Sequence, residues 1–130
     1  MSYLLQDLAG YLIESGIGTA LGEDVFLDFL PDQPNNVVVI SEYSGLPTTT
    51  GVEALDRRVQ IRVRNADAEE ARLLSWKAFN LLDTPENRIQ LASNNRWMMT
   101  QALQTPFKVD IDGKERVSYV FNLAVVTYRD

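Results

Sequence analysis

The chain has 130 residues, a formal net charge of −6 from 12 basic and 18 acidic side chains, and neither histidine nor cysteine. A chain of this length fits one domain, residues 1–130, that buries roughly two thirds of its surface without a disulfide or metal staple. The missing residue types exclude disulfides, thiolate zinc sites, a cysteine nucleophile and the commonest general base, and the acidic balance argues against a sequence-independent nucleic-acid binder.

In chain order, Tyr3 to Glu14 predicts an amphipathic helix. Leu4, Leu5, Leu8, Tyr11 and Leu12 recur at helical spacing, with Ser2 as N-cap and Gly16 as stop. A loop follows through Gly18 and Gly22. Val25 to Leu30 is a short apolar run ended by Pro31 and Pro34, and predicts a strand. Val37, Val38, Val39 and Ile40 form a β-branched run that predicts a buried strand within Asn36 to Tyr43. From Ser44 to Ala54 the residues Gly45, Pro47, Thr48, Thr49, Thr50 and Gly51 supply breaker chemistry without a period, predicting a loop or extended arm.

Arg57 to Arg64 carries the cleanest pattern. Val59, Ile61 and Val63 alternate with Arg58, Gln60, Arg62 and Arg64, giving a strand with one apolar and one basic face. Asn65 or Asp67 then caps a helix from Ala68 to Leu82, with Glu69 and Glu70 in its first turn. Its inner stripe is Leu74, Ala78, Leu81 and Leu82, widened by Trp76 and Phe79, and Thr84-Pro85 ends it.

Ile89 to Leu91 predicts a short strand, Asn94-Asn95 a turn, and Trp97 to Gln104 a strand broken before Pro106. Phe107 to Ile111 leads into the hairpin signal Asp112-Gly113. The closing strand, Arg116 to Tyr128, would span on the order of 40 Å at ~3.4 Å per residue, about twice the usual length. It is therefore expected to bend, or to run past the sheet and meet a neighbour. The whole order predicts an α+β domain: a mainly antiparallel sheet with two main helices packed on one face. No apolar run approaches the ~20 residues of a membrane span. The N-terminus lacks the basic segment of a signal peptide, so a mature, cytoplasmic chain is expected.

Carboxylate pairs at Glu23-Asp24, Glu69-Glu70 and Asp110/Asp112 have the chemistry for acid–base work or a hard cation. Their plainer roles are stronger. Glu69-Glu70 complements a helix dipole, and Asp110 and Asp112 flank a turn. Asp-x-Asp-Gly begins like a calcium loop, but Lys114 stands beside Gly113 and the closing Glu is missing. The glycines near Gly16 do not follow a strand or make a phosphate-cradling motif. No catalytic residue, metal or cofactor is therefore expected. Arg58, Arg62 and Arg64 project from one strand face. They form either the solvated outer face of a half-buried sheet or a surface for acidic groups on a partner, to which planar guanidinium forks are suited.

The segments VVVISEYSGLP, DRRVQIRVRNADAEEARLLSWKAFNLL and LQTPFKVDIDGKERVSYVFNLAVV together resemble the minor capsid, or tail completion, proteins of long-tailed bacteriophages. The matching features are Val59-Gln60-Ile61-Arg62-Val63-Arg64 before a helix, Pro106, the turn from Asp112 to Arg116, and Tyr119-Val120-Phe121-Asn122. Lys114-Glu115 before Arg116 is an insertion relative to that pattern. The resemblance implies a curved antiparallel sheet flanked by helices. It also implies a tail terminator-like, non-enzymatic structural protein that forms a ring, with a hexamer as the expected stoichiometry. The ring would cap the tail tube protein and join the head–tail connector, in a virion assembled in the host cytoplasm. The candidate interface is Arg58, Arg62 and Arg64 together with Thr48, Thr49 and Thr50 of the arm. Sequence-specific nucleic acid and membrane are not expected partners. The alternatives are a small ligand-binding or regulatory α+β domain, and an enzyme working with carboxylates alone.

Because no cluster of good metal ligands is legible, a chelator is expected to leave the melting temperature unchanged. A loss restored by calcium or magnesium would revive the Asp110/Asp112 pair as a site.

Overall fold

Two twelve-residue strands lie side by side at the centre of the structure. A computed structural model describes residues 4–45, 47, 54–84, 88–90 and 97–128. The Ser2 cap, the arm tip Thr48 to Thr50, Pro85, Leu91 and the Asn94-Asn95 turn lie outside the described residues. The elements run α1 (Leu4–Glu14), β1 (Val25–Leu27), β2 (Val37–Gly45), β3 (Ala54–Asn65), α2 (Ala68–Leu82), β4 (Arg88–Gln90), β5 (Trp97–Ala102), β6 (Phe107–Ile111) and β7 (Val117–Tyr128). The strands form one sheet in the order β1-β2-β3-β7-β5-β4, with β6 also on β7. All neighbours are antiparallel except β1 with β2.

The apolar alternation read from Val59 to Val63 decides where the core sits. Val59, Ile61 and Val63 of β3 share a face with Val38 and Ile40 of β2 and with Phe121, Leu123 and Val125 of β7. On that face they join Leu4, Leu8 and Leu12 of α1 and Ala78 and Leu82 of α2 in one core cluster. Both helices thus cover the same side, as the sequence predicts for an α+β domain.

Local chemistry sets the ends of the helices. Past Glu14, Gly16 takes φ 87°, its N–H bonds Ile13 O at 3.1 Å, and the N–H of Ile17 bonds Leu12 O at 2.9 Å. This pairing closes a helix through a left-handed glycine, and the following Ile17 is fully buried. Asp67 caps α2, its carboxylate accepting from the N–H groups of Glu69 and Glu70. On α2 the deeply buried positions are Ala71, Ser75, Ala78 and Leu82. Trp76 is on the rim instead, its ring edge-on to Phe79, which in turn meets Phe121.

Several strands differ from the sequence reading: Ser44, Gly45 and Ala54 of the expected loop or arm belong to β2 and β3, and β5 ends at Ala102 rather than Gln104. β1 stops at Leu27 because Asp28 turns to φ 58°, donates its N–H to Ile40 O and accepts the N–H of Glu42. β3 extends to twelve residues because β7 pairs with it throughout, from Ala54 with Tyr128 to Asn65 with Val117. β7 does not run past the sheet. Its other edge is shared by two successive short strands, β6 along Val117–Val120 and β5 along Leu123–Thr127. A break at Leu103–Pro106 separates those two, where Asn122 accepts from Leu103 N–H and donates its own N–H to Gln104. In the β6–β7 turn the left-handed residue is Glu115 (φ 61°), and Glu115 N–H bonds Asp112 O at 3.0 Å.

The parallel pair β1–β2 is joined by only residues 28–36, shorter than the dozen or more residues a parallel crossover ordinarily needs. This irregular segment has carbonyls with no ladder to join. Two buried arginines take them. Arg64 donates to Asn35 O (3.0 Å), Pro34 O (2.7 Å) and Asp32 O (3.3 Å). Arg116 donates to Asp32 O and to Asn35 Oδ1. Replacing Arg64 by Ala should lower unfolding free energy by roughly 1–3 kcal/mol, because the 32–35 carbonyls lose the charged donor that ties them to β3. Since Arg116 shares Asp32 O, the Arg64→Ala and Arg116→Ala effects should not add in a denaturant double-mutant cycle. Additive effects would show that the two arginines hold the segment independently.

Candidate assembly surfaces

The face of the sheet away from the helices carries the arginine row. Arg58, Arg62 and Arg64 do share that face, in register with Ala124, Val120 and Ser118 of β7. Their surroundings differ. Arg58 pairs with Asp56, two residues away on the same strand. Arg62 is half-buried, donating to Ser118 Oγ at 3.2 Å and to Asp110 at 3.0 Å, and so ties β3 to β6 across β7. Arg64 is 3% exposed and its guanidinium is taken up by the 31–36 segment. Burial, then the neighbouring Arg116 charge, lowers it from the ordinary arginine value. Of the row, Arg58 and Arg62 retain partial access to solvent, and Arg64 does not present its charge. Thr48, Thr49 and Thr50 lie outside the described residues.

The two aspartates of the Asp-x-Asp-Gly stretch are committed elsewhere. Asp110 holds Arg62. Asp112 accepts from the N–H groups of Lys114 (2.9 Å) and Arg116 (3.0 Å) and from Arg116 Nε (2.8 Å). Among the described residues no group of three acidic side chains is placed to hold a metal. Arg116 was not singled out from the sequence, although its spacing from Asp112 suits a local ion pair closing a hairpin.

Two open clefts bear on the ligand-binding alternative. One of about 220 Å³ lies between the Gly16–Asp24 loop, the start of β2, the end of β3 with Arg64, and Leu74 of α2. The other, about 170 Å³, is a trough on the outer face over Met99, Gln101, Ala124 and Val126. Both are smaller than the ~300–1,000 Å³ usual for ligand sites. The charged groups of the first are already engaged: Asp24 accepts from Thr19 and Ala20 N–H groups, and Arg64 from within holds the 31–36 carbonyls.

Two flanks of the sheet show apolar side chains to solvent. At one end Phe29 and Leu30 follow β1. Beside β7, all five residues of β6 are exposed, including Phe107, Val109 and Ile111. A structural protein that meets other proteins would carry surfaces of this kind.

A family model described as "Bacteriophage tail terminator protein" matches residues 11–129. The chain belongs to that family. The match starts inside α1 and takes in every strand and all of α2. No curated protein matches the sequence. A tail terminator is a structural component of the phage tail and so of the virion, which agrees with the resemblance carried by the β3 and β7 segments.

The terminator's ion pairs set its response to acid. Hydrogen bonds from Arg116 and Lys114 pull Asp112 down to about 2. Lys114, then Arg116, holds Asp32 below its ordinary value. At Asp24, burial alone would raise the value, but the donors on Ala20 and Thr19 outweigh it and the result is lowered. Depressed carboxylates stabilise the fold above their unfolded value of 3.8, and that contribution is lost as pH falls through the folded values. Melting temperature should therefore be insensitive to these groups from neutral pH down to pH ~4 and drop towards pH ~2. Asp112→Asn should lower stability at neutral pH and flatten that drop. An unchanged acid slope in the variant would count against Asp112 as its source.

Proposed function

We propose that this tail terminator assembles into a closed ring of six subunits on the end of the tail tube. The ring stops tube growth and offers the head–tail connector a surface to dock on. The family match across residues 11–129 carries this reading. The committed carboxylates and the small size of the two clefts among the described residues support it over the ligand-binding alternative, and no catalytic role is assigned. Assembly takes place in the host cytoplasm, and the product is part of the tail and neck of the virion.

In such a ring each subunit presents one surface to the next in a head-to-tail contact that closes on itself. The interface draws on Arg58 and Arg62 and on the arm with Thr48, Thr49 and Thr50. Arg64 is left out because its guanidinium is inside the molecule. Exposed ion pairs are worth about 0–1 kcal/mol each, so the arginines set register while apolar burial supplies most of the affinity. The net acidic composition suits a ring through which DNA passes without sticking.

Arg58→Glu combined with Arg62→Glu should keep the native circular dichroism but weaken assembly about tenfold or more, a loss of about 1.4 kcal/mol. Light scattering and native mass spectrometry, with and without tail tubes, read the effect. A folded variant that caps tubes as well as the parent removes the arginines from the interface. A parent that stays monomeric even with tubes present removes the ring.

A further inference from the structure

Asp112 and Gly113 form the one Asp-Gly step in the sequence, and no Asn-Gly step occurs. Such a step can modify itself. The glycine amide nitrogen, with no Cβ beside it, attacks the aspartyl Cγ. An N–Cγ bond forms, the carboxyl C–OH bond breaks, and water leaves with the amide proton. The five-membered succinimide then takes water back at either carbonyl. One opening restores aspartate. The other routes the main chain through the side-chain methylene, as an isoaspartyl linkage. No oxidant, metal or enzyme takes part.

The turn does not require this glycine. Gly113 has no left-handed φ, and a Cβ added there would meet nothing within 4 Å. The left-handed place belongs to Glu115. Gly113 is exposed, and its N–H has no hydrogen-bond partner among the described residues. The attacking nitrogen is thus open to react.

Restraint comes from the aspartate. Oδ1 of Asp112 accepts from the N–H groups of Lys114 at 2.9 Å and Arg116 at 3.0 Å, and Oδ2 accepts from Arg116 Nε at 2.8 Å. Its main chain is held as well, the N–H by Arg116 O and the carbonyl by Glu115 N–H. Attack makes Cγ tetrahedral on Gly113 N, and the two oxygens cannot stay on all three donors while it does so. The same donors, Arg116 first among them, hold the carboxyl at about 2 instead of the ordinary 3.8. Only the protonated carboxyl can lose water, and at neutral pH that form is scarcer by on the order of sixtyfold.

We propose that Asp112–Gly113 is a site of spontaneous isoaspartate formation that the Arg116 clasp holds in check while the chain is folded. This stands apart from the ring reading. Isomerisation carries the carboxylate away from Arg116, which also holds Asp32 O and the Asn35 side chain. One event therefore loosens both the β6–β7 turn and the 28–36 segment. A part of an assembled particle is not remade, so the converted form accumulates at the pace the clasp permits.

The test follows isoaspartate at position 112 by peptide mapping with mass spectrometry, over weeks at neutral pH. The parent is kept native or in guanidinium chloride. Arg116→Gln, Gly113→Ala and the core variant Val59→Ala are kept native and checked by circular dichroism, and Gly113→Ala is also kept in denaturant. The native parent should convert at least about tenfold more slowly than the denatured parent. Arg116→Gln should convert several times faster than the native parent, and Val59→Ala, which costs stability without touching the turn, should convert more slowly than Arg116→Gln. Gly113→Ala should keep the parent's melting temperature and suppress conversion in both states. If Arg116→Gln does not fold, Arg116→Lys, which keeps the charge and loses the Nε donor, takes its place with the same expectation. A native parent that converts as fast as the denatured chain overturns the proposal. An arginine variant no faster than Val59→Ala overturns the role of the clasp, and conversion undiminished in denatured Gly113→Ala overturns the site.

Discussion

The fold depends on how two guanidinium groups satisfy a stretch of backbone that has no partner of its own. The chain places β1 parallel to β2 with only residues 28–36 between them. The carbonyls of Asp32, Pro34 and Asn35 stand outside any strand ladder, and a charged donor takes them instead. Arg64 comes from the end of β3 and Arg116 from the start of β7, so the same charges that satisfy the segment also fix it to the two central strands. Asp112 then holds Arg116 at 2.8 Å, which closes the β6–β7 turn onto the same cluster. One charged group of contacts thereby sets the position of β1, the end of the sheet and the root of β6.

This cluster also divides the outer face by role. Near Arg64 the surface is built of internal contacts. Further along β3, Arg62 reaches Asp110 and Arg58 reaches Asp56, and both pairs stay partly open to water. A strand with regular alternation can thus serve stability at one end and remain available at the other. The Arg62–Asp110 pair couples the two uses, since it spans β7 to hold the strand whose outer edge has no strand partner among the described residues.

The sequence was most informative where side-chain period and burial agree. Val59, Ile61 and Val63 announce a strand with one buried face, and Asp67 with Glu69 and Glu70 announces the start of α2; both are found in place. Legibility failed where tertiary contacts decide the outcome. Arg64 looks the same in sequence as Arg62, and only the segment folding over it makes it an internal group. The long closing strand invited the idea of an overhang because its partners β5 and β6 read as two short runs around Pro106. Nothing local shows that both lie along one edge of β7. The left-handed residue of the last turn is Glu115, not the glycine two places earlier, because the turn needs that conformation one step before Arg116. The exposure of β6 was the least legible feature, since it depends on what does not pair with it among the described residues.

The twelve-residue ladder between β3 and β7 has a mechanical meaning. A pull directed along these strands would load all of its cross-strand hydrogen bonds at once, in shear. A pull that lifts β6 away from β7 would break its few bonds one after another, like a zip. The same sheet is thus stiff along its strands and compliant at one margin. A body joined to its neighbours at that margin could adjust its seating while its centre keeps its shape under tension.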